Sequence, residues 1–286
     1  MIDKLEMLLA LAQEQHFGRA AEVCGIVLLV QRQSRFIGFT PEGLRVLDWA
    51  RRIVADSRAM RQEIRALKQG LAGHLRLAAV PTALPIVAAL TTPLHVGHKE
   101  VGFTILSRTS IEILGMIENL EVEAGLSYVD NEPLGRVRAI PLYQERYRLL
   151  TSDASPLGRR RSVTWREVAQ IPLCLLTPDM QNRRILDRKL QAAGADAAPT
   201  LQSNSMVVLF SHVRTGRWSS IMPAVLAETM GLSAPIRVVP IEDEEPPPTI
   251  GLVYPVREPL PPLTAALVTE ARRLGRRWAD PAVEPR

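Results

Sequence analysis

The most regular hydrophobic pattern in the chain runs over residues 40–73, where apolar residues recur at alternating steps of four and three. Thr40 is a suitable N-cap, Pro41 fits the first helical position, and Gly70 offers a stop. The pattern predicts one helix of about 30 residues, or ~45 Å at about 1.5 Å per residue. The seam of this predicted helix consists of Val46, Ala50, Ile53, Ser57, Met60, Ile64, Leu67 and Leu71.

A seam this narrow suits a partner helix of similar length, so it predicts a linker helix that pairs with a second copy of the chain. Leu47, Trp49 and Val54 widen the stripe and are expected to meet the residues that precede the helix. The alternative is an amphipathic helix that lies on its own domain.

Two short helices and a small hairpin are predicted before the long helix. Apolar residues on one face of residues 2–14 indicate a first helix, and residues 17–25 predict a turn, a short helix and a glycine stop. Apolar runs at residues 26–31 and 37–39 predict a hairpin around a basic turn at residues 32–36. Helices in this order, followed by a hairpin, are typical of a winged helix-turn-helix.

Beyond residue 73, short apolar strands alternate with helices through two successive cycles. This order predicts an α/β domain with a mostly parallel sheet and helices on both of its faces. Ligands bind such sheets at the carboxyl ends of the strands. The candidate binding residues, nearly all polar, follow predicted strands or open predicted helices: Thr82, Ser107, Thr109, Ser110, Tyr128, Thr177, Met180, Gln181, Asn182 and Ser205.

These strand–helix junctions favour an anionic ligand, because free backbone N–H groups at the start of a helix attract negative charge. Ser110 is expected to cap the helix that it opens, and the obvious cations at the junctions are Arg108 and Arg183. Neutral donors therefore predict a small carboxylate held without a salt bridge. Helix capping alone is the alternative explanation for each serine, threonine or asparagine.

The composition is that of an ordinary globular protein: 286 residues, 47% hydrophobic, 23% charged, with a net charge of +5. The positive charge permits nucleic-acid binding without requiring it. No apolar run reaches the ~18 residues that a membrane span needs, and the first residues lack a signal-peptide pattern. Cys24 and Cys174 are isolated, which favours a reducing cytoplasm and small buried side chains rather than reactive thiols.

No metal, cofactor or catalytic site is expected. His95 and His98 have helical spacing without a third ligand, so a solvated helix end is the simpler interpretation. The sequence contains neither a phosphate-cradling glycine motif nor a nucleophile elbow. The basic run at residues 159–161 and the acidic run at 242–245 are typical of solvated loops. An enzyme is therefore the weaker hypothesis.

Several short motifs occur in a characteristic order along the chain: Phe17 with Ala20 and Ala21, residues 28–32, residues 39–43, the long helix, residues 73–77, Pro81, Thr82, Gly216, Met222 and Pro223. These motifs resemble the LysR-type transcriptional regulators. The resemblance covers nearly the whole chain. It implies a winged helix-turn-helix DNA-binding domain over residues 1–40, a linker and dimerisation helix over 41–72, and a two-lobed effector-binding domain, resembling periplasmic binding proteins, over 73–286.

The resemblance also implies where the two lobes divide. Lobe one takes residues from about 73–145 and 250–286, and lobe two takes about 146–249. The chain is expected to cross between the lobes near residues 143–148 and 245–251, as it does in periplasmic binding proteins. The candidate binding residues then line a cleft for a small effector, usually a carboxylate or another small metabolite.

The partners that the resemblance implies are double-stranded DNA, a small-molecule effector and further copies of the chain in a homotetramer. The expected DNA contacts are Arg19, Arg32 and Arg35. A cytoplasmic location without membrane contact is expected from the isolated cysteines and the short apolar runs. A stand-alone small-molecule binding protein with an inert N-terminal remnant is the alternative function, and a small-molecule enzyme is a second alternative.

One segment of the family pattern is not found in the sequence. In the family, the helix that ends near Cys24 and Gly25 is followed by a turn and a recognition helix, roughly 15–20 residues, before the wing. Here Gly25 runs directly into the apolar residues 26–30. Either the natural chain has a deletion at this point or the sequence omits the segment, and the smooth match on both sides favours an omission.

Overall fold

The computed structural model describes residues 2, 4, 5, 8, 9, 30–33, 35–130, 133–195, 198–232 and 235–279. The predicted helix-turn-helix lies outside these ranges, apart from helical backbone at residues 2, 4, 5, 8 and 9. Arg19 and Cys24 also lie outside them.

A hairpin is present at residues 30–39, but the predicted turn at residues 32–36 is wrong, because residues 32, 33, 35 and 36 lie on its strands. Its strands are β1 (Val30–Gln33) and β2 (Arg35–Phe39), which pair antiparallel with Val30 opposite Phe39. The backbone of Arg32 lies on β1 and that of Arg35 on β2, so both expected DNA contacts belong to the hairpin.

The predicted long helix is α1 (Pro41–Gln69). The Thr40 hydroxyl accepts a hydrogen bond from the Gly43 N–H at 3.0 Å, and Gly70 follows the helix with a φ of 84°. Leu47, Ala50 and Val54 are buried on one side of the helix. Trp49 is 64% exposed, and most of the residues that it was expected to meet lie outside the described ranges. The exposed apolar face of α1 consists of Val46, Trp49, Ile53, Met60, Ile64 and Leu67.

Lobe one is built on a sheet that has five strands within the described residues. These are β3 (Gly73–Ala79), β4 (Val101–Ser107), β5 (Ala124–Tyr128), β6 (Val137–Gln144) and β13 (Thr249–Pro255), in the order β4-β3-β5-β13-β6. β3 runs parallel to β4 and β5, whereas β13 runs antiparallel to β5 and β6. The prediction of parallel strands is thus confirmed for β3, β4 and β5.

The helices of lobe one are α2 (Leu84–Gly97), α3 (Ser110–Glu118) and α8 (Pro262–Ala279), and a 3₁₀ turn at Pro81–Ala83 follows β3. α3 packs closely on the sheet because Gly125 leaves room for it. A Cβ atom on Gly125 would lie 2.4 Å from Ile113 Cγ2 of α3. Leu75 and Leu77 are fully buried on β3, as expected for a central strand covered by helices.

Lobe two contains six strands and four helices within the described ranges. The strands are β7 (Tyr147–Ser152), β8 (Val163–Thr164), β9 (Cys174–Leu176), β10 (Leu201–Ser203), β11 (Ser220–Pro223) and β12 (Ile236–Glu242). The helices are α4 (Trp165–Val168), α5 (Gln181–Ala192), α6 (Met206–Val213) and α7 (Ala224–Thr229).

The larger sheet of lobe two has the order β11-β7-β12-β8, and β9 pairs parallel with β10. β7 is antiparallel to both of its neighbours, so the expectation of a mostly parallel sheet is wrong for this lobe. The physical reason is that β7 carries the chain into the lobe and β12 carries it out, which makes their directions opposite.

The chain crosses between the two sheets twice. It passes from β6 to β7 at Glu145 and Arg146, and it returns from β12 to β13 over residues 243–248. The Glu145 N–H donates to the Pro248 carbonyl at 2.7 Å, so the two crossings lie side by side. One hydrophobic core includes buried residues of both lobes, among them Leu126 and Leu149.

No helix in the described part of the chain is both long enough and apolar enough to cross a membrane.

Candidate binding site between the lobes

Tyr128 is the centre of a buried polar cluster where the two lobes meet. It ends β5, and its Oη lies 3.4 Å from Oγ1 of Thr82 in the turn after β3. Asn182 of lobe two donates from Nδ2 to the same Oη at 3.3 Å. Because β3 and β5 are parallel neighbours, their carboxyl ends meet at one edge of the sheet. Three predicted binding residues thus come together, two from lobe one and one from lobe two.

Glu145, which no sequence pattern indicated, lies in the same cluster. It sits on the first crossing and is fully buried. Its Oε2 accepts hydrogen bonds from the hydroxyl of Tyr128 at 2.5 Å and from the hydroxyl of Tyr147 at 3.0 Å. Within the described part of the chain, Oε1 has no hydrogen-bond partner. We call Thr82, Tyr128, Glu145, Tyr147 and Asn182 the junction cluster.

Burial controls the charge of the junction cluster. It raises the pKa of Glu145 from 4.5 to about 7, because a charged carboxylate loses its hydration there. Hydrogen bonds from Tyr128 and Tyr147, together with the side chains of Thr82 and Asn182, oppose this shift because they stabilise the ionised form. Burial also raises the pKa of both tyrosines well above its ordinary value. The tyrosines are therefore neutral donors at physiological pH, whereas Glu145 changes its protonation state near neutrality.

A second contact between the lobes is made by Arg184 of α5. Its Nη2 lies 3.4 Å from the Oγ of Ser110, which is buried at the start of α3 in lobe one. The same guanidinium donates to Oε1 of Gln181 at 2.5 and 3.1 Å and to the Asp179 carbonyl at 2.7 Å. Arg184 thus brings together Ser110 and Gln181, two further residues predicted from the sequence.

Neither of the arginines that the sequence suggested contributes a cation to this junction. Arg183 is buried inside lobe two, where it binds Asp187 and the Leu176 carbonyl. Arg108 donates to the carbonyl of Ser107 next to it. Consecutive arginines on one helix point in different directions, and the sequence alone did not distinguish Arg184 from its neighbour.

Two predicted residues of lobe one lie apart from the junction cluster. Ser107 is exposed because it ends β4, the edge strand of the sheet. Thr109 is the N-cap of α3: its Oγ1 accepts from the Glu112 N–H at 3.2 Å and donates to Glu112 Oε2 at 2.9 Å. The predicted cap at Ser110 is therefore wrong by one residue, and capping accounts for the Thr109 hydroxyl.

Three predicted residues of lobe two have other surroundings. Met180 precedes α5 and packs in a second hydrophobic core with Leu176. Ser205 precedes α6, and its N–H donates to the Ser203 hydroxyl at 3.2 Å. Thr177 follows β9, and its buried Oγ1 has no hydrogen-bond partner among the described residues.

A cavity of about 560 Å³ lies elsewhere, between α1 and lobe one. Arginines from both sides line it, among them Arg51, which pairs with Asp48, Arg76, which pairs with Glu123, and Arg257, which pairs with Asp56. No residue of the junction cluster lines this cavity. Within the ranges that the structure describes, no group of His, Cys, Asp or Glu side chains is arranged to hold a metal ion.

Residues 68–276 match the family described as LysR substrate binding domain. The DNA-binding transcriptional dual regulator OxyR of Escherichia coli (strain K12) is 24% identical over 277 residues, which are 91% of this chain and 90% of that protein. A hydrogen peroxide-inducible genes activator of Dickeya chrysanthemi is 23% identical over the same shares of both chains.

Solved structures share the fold over almost their full length. A full-length OxyR variant from Pseudomonas aeruginosa superimposes with a TM-score of 0.73 at 21% identity, covering 96% of this chain and 99% of that chain. CbnR, a LysR family transcriptional regulator, gives a TM-score of 0.67 at 17% identity with the same coverage. The relatives are transcription regulators rather than enzymes. From the family match over residues 68–276, this chain belongs to the LysR family of transcriptional regulators.

Proposed function

We propose that this protein is a DNA-binding transcriptional regulator, without enzymatic activity, that senses a small molecule between its two lobes. The observation that carries the proposal is the junction cluster, which joins lobe one, lobe two and the first crossing through one set of hydrogen bonds. A ligand that replaces these bonds shifts the balance between lobe arrangements. That shift changes how the DNA-binding domains are spaced. A regulator of this kind works in the cytoplasm, where its operator DNA is.

The proposed effector contacts are Thr82, Ser110, Tyr128, Gln181 and Asn182. All five are buried at the meeting of the lobes. Gln181 and Asn182 begin α5, where unpaired backbone N–H groups favour negative charge. Arg184 adds a cation beside them. This end of the junction therefore suits a carboxylate on the effector.

Sensing by ligand binding fits the structure better than sensing by thiol oxidation, although several relatives are peroxide-inducible activators. Cys174 is fully buried on β9, and its Sγ lies 3.6 Å from the Leu209 carbonyl, to which the thiol donates. Burial raises the pKa of this thiol to about 11, so the reactive thiolate is scarce at neutral pH. The other cysteine, Cys24, lies outside the described residues.

Pairing through α1 is the second part of the proposal, since LysR regulators form oligomers. Six apolar side chains of this helix are exposed along one face. Lone exposed apolar residues are normal, but a row of them at heptad spacing suits a second α1. We propose that two chains pair through this face and that two such pairs form the tetramer.

The effector site is tested with Thr82→Ala. Losing the Thr82 hydroxyl is expected to weaken effector binding by about tenfold or more, as for a hydrogen bond to a charged group. Thr229→Ala is the matched control, because Thr229 is exposed and its hydroxyl donates to the Val225 carbonyl within α7, away from the junction cluster. The measurement is calorimetric titration of a panel of small organic acids into the three proteins. Equal binding of a genuine effector to all three would mean that Thr82 has a structural role only.

DNA binding is tested separately by footprinting the full chain on the DNA upstream of its own gene, with and without a binding acid. Protection that changes with the acid supports the regulator. If no DNA is protected under any condition, the alternative of a stand-alone small-molecule binding protein replaces it.

A further inference from the structure

The unusual feature of the junction cluster is a buried carboxylate without a cationic partner. Glu145 is fully buried, and its hydrogen-bond partners are the neutral hydroxyls of Tyr128 and Tyr147. Among the described residues, no lysine, arginine or histidine forms an ion pair with it. Glutamates are almost never fully buried unless they are paired.

The two carboxylate oxygens of Glu145 differ in their hydrogen bonding. Oε2 accepts from two tyrosines, whose hydroxyls come from β5 of lobe one and β7 of lobe two. Oε1 is equally buried but accepts from no described residue. An ionised carboxylate has about four lone-pair sites. Tyr128 and Tyr147 both donate to Oε2, and the side chains of Thr82 and Asn182 also stabilise the charged form, but all four groups are neutral.

Tyr143 of β6 is a third buried tyrosine near Glu145. Burial raises the pKa of Tyr143, the charge of Glu145 adds to this shift, and the Tyr143 hydroxyl has no hydrogen-bond partner among the described residues. Tyr128, Tyr143 and Tyr147 are the titratable side chains that act on Glu145, from β5, β6 and β7 respectively. None of them supplies a positive charge.

We propose that Glu145 receives the ammonium group of the effector, so that the regulator senses a small molecule bearing a primary amine. This inference rests on the proposed effector site between the lobes and deepens it. An ammonium group supplies both things that the structure lacks at Oε1: an N–H donor and a positive charge. A carboxylate on the same molecule would suit the start of α5, as described above.

The protonation of Glu145 gives the proposal a pH signature. Burial raises the pKa of Glu145 to about 7, so the carboxyl is mostly neutral below that pH and charged above it. An ammonium ligand binds the charged form. Its affinity is therefore expected to rise by up to tenfold per pH unit between about pH 5 and pH 7 and to level off above. A purely anionic ligand would show the opposite trend.

The test uses the smallest probes that separate the N–H donor from the positive charge. Methylammonium chloride has both, tetramethylammonium chloride has the charge without a donor, and sodium chloride sets the ionic strength. A two-atom ligand binds at best in the millimolar range. At about 50 mM and pH 8, methylammonium is expected to raise the Tm of the full chain by roughly 2–4 °C above both other salts.

Two variants complete the experiment. Glu145→Gln keeps the size of the side chain but removes its charge, and it is expected to abolish the Tm difference between methylammonium and tetramethylammonium. Glu244→Gln is the control, because Glu244 is an exposed carboxylate on the second crossing. It is expected to retain the full difference. Circular dichroism of both variants checks that they fold, and the comparison of salts in the wild type stands without them.

The possible outcomes are decisive. If the wild type does not distinguish methylammonium from tetramethylammonium, Oε1 holds an ordered water only and the inference is overturned. A difference that survives in Glu145→Gln also overturns it, because the amine then binds elsewhere. If an organic acid without an amine group binds the wild type and Glu145→Gln equally, that result refutes the proposed amine recognition but not the proposed regulator. If methylammonium binds as expected but no DNA is protected in the footprinting experiment, the proposed regulator is refuted and the proposed amine site is not.

Discussion

At the scale of single residues, Glu145 makes the stability of the protein depend on pH. Its pKa is about 7 in the folded chain, against 4.5 for an exposed glutamate. The folded state therefore binds more protons than the unfolded state between these values, and stability falls as the pH rises through them. The wild type is expected to lose roughly 2–3 kcal/mol relative to Glu145→Gln between about pH 5 and pH 8.

Urea denaturation of both proteins across this pH range measures the loss, because all other titrating groups are shared. Glu244→Gln, whose carboxylate is exposed, is expected to follow the wild type. A wild type and a Glu145→Gln variant with parallel pH curves would show that Glu145 keeps an ordinary pKa.

Cys174 gives a second prediction at this scale. Its thiol is buried and has a pKa raised to about 11, so it is expected not to react with iodoacetamide or millimolar peroxide in the native protein. The same thiol is expected to alkylate fully in guanidinium chloride. Peptide mass spectrometry follows Cys174 separately from Cys24. Rapid oxidation of Cys174 in the folded protein would contradict this prediction and support sensing by thiol oxidation.

At the scale of elements, α1 is the part of the fold whose role can be tested with two changes. Ile53 and Ile64 lie on its exposed apolar face. The double variant Ile53→Glu, Ile64→Glu would place negative charges without cationic partners in the interface between two α1 helices. This change is expected to release monomers. Light scattering of the purified proteins measures the mass.

The control for this helix is Arg65→Glu, which changes the charge of an exposed residue away from the seam. It is expected to leave the mass of the oligomer unchanged. If the double variant at Ile53 and Ile64 also keeps the wild-type mass, the chains associate through another surface.

The sequence predicted most elements because their signals are local. The Thr40 cap, Pro41 and Gly70 defined α1 almost to the residue. Strand order is not a local property, however. Tyr128 ends a central strand and is buried, whereas Ser107 ends the edge strand and is exposed, although both looked alike as polar residues after an apolar run.

At the scale of the whole molecule, we propose that base-specific DNA binding depends on a turn and a recognition helix, which the printed sequence does not show after Gly25. Without a recognition helix, Arg32 and Arg35 of the hairpin are the proposed phosphate contacts. Two such contacts predict affinity that falls roughly tenfold between about 50 and 200 mM salt and does not depend on base sequence.

Fluorescence anisotropy on an operator duplex and a scrambled duplex measures both properties, and the intact mass of the chain establishes which segment is present. A chain of the printed mass that selects the operator over scrambled DNA would show that base reading lies elsewhere.

The junction cluster was only partly predictable because its geometry is long-range. Thr82, Tyr128 and Asn182 could be found from strand and helix ends. Glu145 could not, since a charged residue between two apolar runs looks like a solvated turn. Its burial arises from the neighbouring second crossing, 103 residues further along the chain at Pro248.

The hydrogen bond between the Glu145 N–H and the Pro248 carbonyl also has a mechanical consequence. Two connections fixed side by side define an axis, and they allow one lobe to rotate about it far more readily than to slide or separate. Glu145 sits on that axis. A small shift of a side chain beside this axis would therefore become a larger displacement at the far ends of the two lobes.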